Sequence, residues 1–273
     1  MYSFAATALL ALAATVSAIP VSQVERRQSY PAPKDMCGAP NESLLIPGTP
    51  WIVFSMNYNY QQIHGSICTG FNGVKTVDGV QKCKWTSDWD MEPADNPDTV
   101  KGYSFVGLTQ NLENRISDIK SIPADYHWIR KKATPDSKYK GNVVFDFMTS
   151  DTKGDSTSSH AQEHMLWLRY EGGQLPIGWV DGPIATINNL YGRTWDLYRG
   201  LNEDTGIMVS SLLVRENQQF HGHFKGDIKD WLVALSKQGL YTQSTYVNVG
   251  NAGMEPFYGM VSFTNSVALS INL

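Results

Sequence analysis

Three carboxylic acids interrupt stretches that are otherwise apolar. Glu163 opens Glu163-His164-Met165-Leu166-Trp167-Leu168. Asp146 separates Val143-Val144-Phe145 from Phe147-Met148, and Glu255 lies within Gly253-Met254-Glu255-Pro256-Phe257-Tyr258-Gly259. Read as a strand, residues 163–170 split by parity. Glu163, Met165, Trp167 and Arg169 share one face, and His164, Leu166, Leu168 and Tyr170 the other. A surface glutamate ordinarily stands among other charges in open solvent. Here it stands beside Met and Trp. Removal from water disfavours the charged form and raises a carboxyl pKa, the property a general acid needs. A pair of such carboxyls is therefore a candidate catalytic pair.

Two histidine patterns suggest a different chemistry. His160-Ala161-Gln162-Glu163-His164 has the H-x-x-E-H spacing of certain metalloproteases, which places both imidazoles on one helical face. The surroundings argue for a strand instead: Gly154 to Ser159 reads as a loop, and Met165 to Tyr170 as extended chain. In a strand the two histidines stand about 13 Å apart, four steps of ~3.3 Å, too far for one metal ion. His221-Gly222-His223 has no evident third ligand in the sequence. Nucleophile-elbow, phosphate-loop and dinucleotide-binding patterns are absent.

The elements that must position these residues read as strands. Short β-rich runs alternate with turn clusters at Trp51–Met56, Gly102–Leu108, Gly141–Thr149, Glu163–Tyr170, Thr194–Tyr198, Ile207–Val214, Ser244–Val249 and Met260–Leu273. This spacing predicts an all-β sandwich or barrel. One helix is expected, because Ile228, Trp231, Leu232 and Leu235 follow an i, i+3, i+4, i+7 pattern. Asp227 suits its positive end and Gly239 its exit. Trp231 belongs to the core on this reading. There is no internal repeat or linker, so 28–273 reads as a single domain.

Composition narrows the partners. The 273 residues carry 22 Lys and Arg against 26 Asp and Glu, a net charge of −4, so nucleic acid and anionic membranes are poor partners. Residues 4–19 form an apolar run ending in Val16-Ser17-Ala18, which predicts a signal peptide over 1–18. Arg26-Arg27 predicts a propeptide over 19–27, and hence a secreted, extracellular chain. Secretion permits disulfides. Among Cys37, Cys68 and Cys83 at most one internal bridge forms, and spacing allows either Cys37–Cys68 or Cys68–Cys83. Asn41-Glu42-Ser43 is an N-glycosylation sequon.

Six segments in order resemble glycoside hydrolase family 12. Glu163-His164-Met165-Leu166-Trp167-Leu168 is similar to that family's E-x-M-[I/V/L]-W-L strand, and Glu255-Pro256-Phe257-Tyr258-Gly259 to its E-P-F-T-G signature. Leu175-Pro176-Ile177-Gly178 resembles G-P-I-G, and Trp195 to Gly200 resembles W-x-L-Y-x-G. Val144 to Thr149 resembles V-A-Y-D-x-F-T, and Trp85 to Trp89 a W-x-x-x-W segment. The likeness spans roughly Cys37 to Leu273.

The resemblance implies a β-jelly roll of two antiparallel sheets with a concave substrate cleft. It implies Glu163 as nucleophile, Glu255 as general acid/base, and Asp146 as the carboxyl that hydrogen-bonds the nucleophile. Retaining hydrolysis needs this pair, and no metal or cofactor. Tyr58, Trp89 and Trp167 become candidates to stack on sugar rings, with Met165, Pro176 and Phe257 as further substrate-binding residues within the matching motifs. The resemblance also implies a Cys37–Cys68 bridge, leaving Cys83 unexplained. The expected activity is a secreted, monomeric, retaining endo-β-1,4-glucanase acting on plant cell-wall β-glucan or xyloglucan.

There are departures from the family pattern. Ser55-Met56-Asn57-Tyr58 stands where N-N-L-W is usual, Gln162 where Tyr is frequent, and Met254 where Thr is common. Leu201 to Thr205 resembles xyloglucanase-like members. Two rival readings are a family 11-type xylanase, whose own catalytic motifs are absent, and a carbohydrate-binding or elicitor-like jelly roll.

Overall fold

The computed structural model describes residues 29–93, 96–133 and 139–273. The expected signal peptide and propeptide lie outside them. Fifteen strands, numbered along the chain, form the architecture. They begin with β1 Lys34–Met36, β2 Asn41–Ile46, β3 Trp51–Met56, β4 Gly65–Val77 and β5 Val80–Met91. Next come β6 Tyr103–Leu108, β7 Asn114–Arg115, β8 Pro123–Ala133, β9 Lys140–Ser150 and β10 Gln162–Glu171. The last are β11 Ala185–Leu190, β12 Arg193–Asn202, β13 Ile207–Val214, β14 His223–Asp227 and β15 Tyr246–Leu269.

The expected runs Ser244–Val249 and Met260–Leu273 prove to be parts of one 24-residue strand. Its first half pairs with β6, β7 and β9, and its second half with β5 and β8. Gly253, Pro256 and Gly259 read as turn residues in isolation, but pairing on both sides holds the segment extended. Gly259 has a φ of 116°, a value that only glycine adopts readily, and the strand passes from one sheet to the other there. One sheet then runs β2-β3-β6-β15-β9-β10-β13-β12-β11, and the other β1-β4-β5-β15-β8-β14. The expectation of wholly antiparallel sheets needs one correction. β10 and β13 pair in parallel, with Glu163 opposite Val209.

Between the sheets lies the main core, with Trp85, Trp195, Trp231, Tyr126, Phe71, Phe145, Phe147 and Phe224 fully buried. The expected helix is α1, Ile228–Lys237, and its four periodic residues are its buried ones. Asp227 caps it by accepting from the Lys229 N–H at 3.0 Å. Trp231 meets Phe147 edge-on, which docks the helix against the core side of β9. Cys37 and Cys68 form the disulfide. Cys83 cannot replace Cys37, because in the β4–β5 hairpin it stands opposite Val74 while Cys68 stands opposite Asp88. It is a free, buried thiol whose pKa burial pushes up to about 12.

Candidate active site

Strand parity sets the site. In antiparallel pairs, directly opposed residues share a face. Asp146 on β9 stands opposite Met165 on β10 and Asn251 on β15. Glu163 stands opposite Met148, and Glu255 opposite Asn142. All three acids therefore leave the sheet on the same side, while Val143, Phe145, Phe147, His164, Leu166 and Leu168 enter the core on the other. Along β9 the positions opposite Glu163 and Glu255 are six residues apart, about 20 Å on a flat strand. Yet the Glu163 charge acts on Glu255, and both act on Asp146.

The floor under the acids is a second apolar cluster, separate from the main core. It holds Tyr103, Phe105, Val144, Met165, Trp167, Tyr198, Val209 and Leu213. Phe54 stacks on Phe105 at 5.2 Å and Tyr103 on Phe105 at 4.7 Å. This apolar floor is what desolvates the acids. Burial raises Glu163 to about 7. Burial raises Glu255 to about 8, with the Glu163 charge adding to it. Asn142 works against that rise, since its Nδ2 donates to Glu255 Oε2 and its Oδ1 accepts from the Glu255 N–H at 3.2 Å. Asp146 is pushed well above the carboxylate range by burial and by the charges of Glu163 and Glu255.

Asp146 Oδ1, the Tyr103 hydroxyl and Trp167 Nε1 are among the buried polar atoms here that have no hydrogen-bond partner. Burial, followed by the nearby charges of Asp146 and Glu255, holds the Tyr103 phenol protonated. An unpaired buried donor costs about 1–3 kcal/mol.

Tyr58 is 44% exposed at the edge of this face and feels the charges of Glu255, Glu163 and Asp146. Met165 and Trp167 are buried in the floor, at 6% and 2% exposure. Pro176 is buried in the loop after β10, where its carbonyl accepts from the Trp179 N–H. Phe257 is 5% exposed beneath the Lys140 ammonium. Trp89 is not a sugar platform. It is 3% exposed in the main core, tilted against Phe263 at 5.4 Å, with its Nε1 donating to Ser87 Oγ. A Cβ at Gly141 would come within 2.7 Å of the Trp89 ring, so this indole packs under the backbone that carries Asn142.

Sequence reading missed Asn142, Tyr103 and Tyr198. Asn142 had a readable signal, since it lies two steps from Val144 and four from Asp146 on one face. Tyr198 faces Trp179 at 4.9 Å, and Trp179 is 42% exposed.

The histidine patterns separate. Glu163 and His164 point to opposite sides of β10. His164 is fully buried, its Nε2 meets Thr149 Oγ1 at 2.8 Å, and burial lowers its pKa to about 3. It is neutral at any working pH. His221 Nδ1 lies 2.9 Å from Arg169 Nη1, while His223 is on β14. The sequon residue Asn41 is exposed at the start of β2. No helix among the described residues is long and apolar enough to cross a membrane.

Comparison with known proteins places the chain. Residues 49–272 match the family model described as Glycosyl hydrolase family 12. Xyloglucan-specific endo-beta-1,4-glucanase A of Aspergillus niger is 32% identical over 195 residues, 71% of this chain and 73% of that protein. The Emericella nidulans protein of the same name is 30% identical over 195 residues, with the same coverage. The catalytic domain of Humicola grisea Cel12A, solved with a soaked thio cellotetraose, superposes with a TM-score of 0.70 at 27% identity, covering 87% of this chain and 99% of that one. Trichoderma harzianum Endoglucanase 3 has a TM-score of 0.72 at 23% identity, over 88% and 98% of the two chains, a likeness of fold.

Proposed function

The chain belongs to glycosyl hydrolase family 12, and from that premise we propose that it is a retaining endo-β-1,4-glucanase whose substrate is xyloglucan. The observation that carries the proposal is the gathering of Glu163, Asp146 and Glu255 from three adjacent strands onto one desolvated face. Glu163 attacks the anomeric carbon and forms a covalent glycosyl-enzyme. Glu255, which burial and then the Glu163 charge keep protonated to the higher pH, gives its proton to the leaving oxygen. It then takes a proton from the incoming water. The two carboxyls need to stand about 5–5.5 Å apart across the bond. Asp146, kept protonated by burial and by the neighbouring acids, serves on this reading as the donor that orients Glu163. Tyr58 offers an open ring to a distal sugar, and Met165, Trp167, Pro176 and Phe257 shape and support the floor.

The substrate assignment rests on the relatives named for xyloglucan. On the same reading the enzyme is secreted after loss of 1–27 and acts as a monomeric, single catalytic domain 28–273 with a glycan at Asn41. Reducing-sugar release on xyloglucan, mixed-linkage β-glucan, carboxymethyl cellulose and xylan, with Glu163→Gln in parallel, tests it. Xyloglucan cleavage that disappears in the variant is the expected result. Faster cleavage of the unbranched glucans overturns the substrate. Cleavage of xylan alone, or activity surviving in Glu163→Gln, overturns the mechanism.

A further inference from the structure

A second cluster lies on the sheet that does not carry the acids. β14 pairs with β8 so that His223 stands opposite His127. Asp125 is two residues before His127, so the period of the strand places it on the same side. The alternate residues Ala124, Tyr126 and Trp128 are buried in the core, so Asp125, His127 and His223 face outward. The two imidazoles stack at 3.8 Å with 12° between their planes. Both Nε2 atoms turn toward one oxygen, Asp125 Oδ1, at 2.8 Å for His127 and 3.1 Å for His223. The three ligand atoms lie within 4.8 Å of one another. The other carboxylate oxygen, Oδ2, is held by the Lys82 ammonium at 2.8 Å, and that side chain is 8% exposed. The carboxylate is therefore anchored before any ligand arrives.

We propose that Asp125, His127 and His223 form a binding site for a zinc-class divalent ion, held by two imidazole Nε2 atoms and one carboxylate oxygen, with water in the remaining position. Imidazole and carboxylate together suit Zn2+, and Cu2+ and Ni2+ by the same chemistry. Ca2+ and Mg2+ take all-oxygen sites and do not fit. Zinc bonds of about 2.0–2.2 Å set ligand atoms roughly 3.0–3.5 Å apart, close to the spacing already present. The ion would tie the edge strand β14, which runs directly into α1, to β8.

The test is calorimetric titration of tag-free, full-length protein with zinc chloride, alongside thermal unfolding with zinc, magnesium or calcium. One equivalent of zinc is expected to bind and to raise the Tm, with no effect of magnesium or calcium. His127→Ala and His223→Ala each weaken binding at least tenfold, while His221→Ala leaves it intact. Cobalt substitution reads the same site by its visible d–d bands, which both of the first two variants lose. Glucan hydrolysis is unchanged in all three, since none of these residues touches the carboxyl cluster. Absence of saturable binding, or affinity unchanged in both His127→Ala and His223→Ala with native Tm, overturns the site.

Discussion

The two faces of β9, β10 and β15 are built from alternate residues of the same segments, yet they obey different rules. On the core side stand Val143, Phe145, Phe147, Leu166, Leu168, Ala252 and Met254, with no carboxyl among them. The one ionisable ring there, His164, is kept neutral. On the other side the apolar floor is interrupted by three acids, all raised by burial. The difference teaches that hydrophobic burial serves two ends within one sheet. On one side it holds the fold together. On the other it withholds water from carboxyls and so sets their protonation.

Substitutions on the two faces should therefore fail differently. The largest effect is expected at the acids. Glu163→Gln lowers kcat by roughly 10^4-fold or more, and Glu255→Gln by about 10²–10⁴-fold, with Tm at or above that of the wild type. A parallel fall in Tm would mean that the two faces are not separable. Across the sheet, Leu166→Ala costs about 2–5 kcal/mol in a denaturant titration, with kcat retained. Loss of the bridge in Cys37→Ser is expected to cost about 3.7 kcal/mol, the chain-entropy value for a loop closed across 31 residues, and to leave the pH profile unmoved.

The smallest effect sharpens the comparison most. Between about pH 4.5 and pH 7 the folded chain keeps a proton on Glu163 that the unfolded chain releases. Folding stability from this group is therefore lost as pH rises through that window. Glu163→Gln is expected to be more stable than wild type at pH 7, and equal to it near pH 4. Unfolding curves at the two pH values check this. A gain that persists at pH 4 would assign it to packing. The same ordering makes the activity profile bell-shaped, with Glu163 setting the acid limb and Glu255 the alkaline one. Glu255→Gln removes the alkaline limb.

Much of this was legible in the residues. Alternation alone put Glu163, Met165 and Trp167 on one face and Leu166 and Leu168 on the other, and periodicity placed α1 on its four buried residues. The ordered motifs named the three acids. Long-range pairing was not legible. Nothing local distinguishes a parallel neighbour for β10 from an antiparallel one. Gly253, Pro256 and Gly259 carry turn propensity that tertiary pairing overrides. Trp89 was misplaced because an indole in a strand looks the same from sequence whichever sheet face it occupies. His223 lacked a visible partner because Asp125 and His127 lie about a hundred residues earlier, and only the pairing of β8 with β14 brings them to it.

The shared strand β15 has a consequence for the order in which the molecule is made. Both sheets depend on the final stretch of chain, its first half for one and its second half for the other. Contacts of such large sequence separation form late and slowly. Until β15 pairs, strands β1 to β14 have neither sheet complete, and Glu255 reaches the carboxyl face only with it. A chain truncated before β15 is expected to show no cooperative unfolding transition, which a denaturant titration checks.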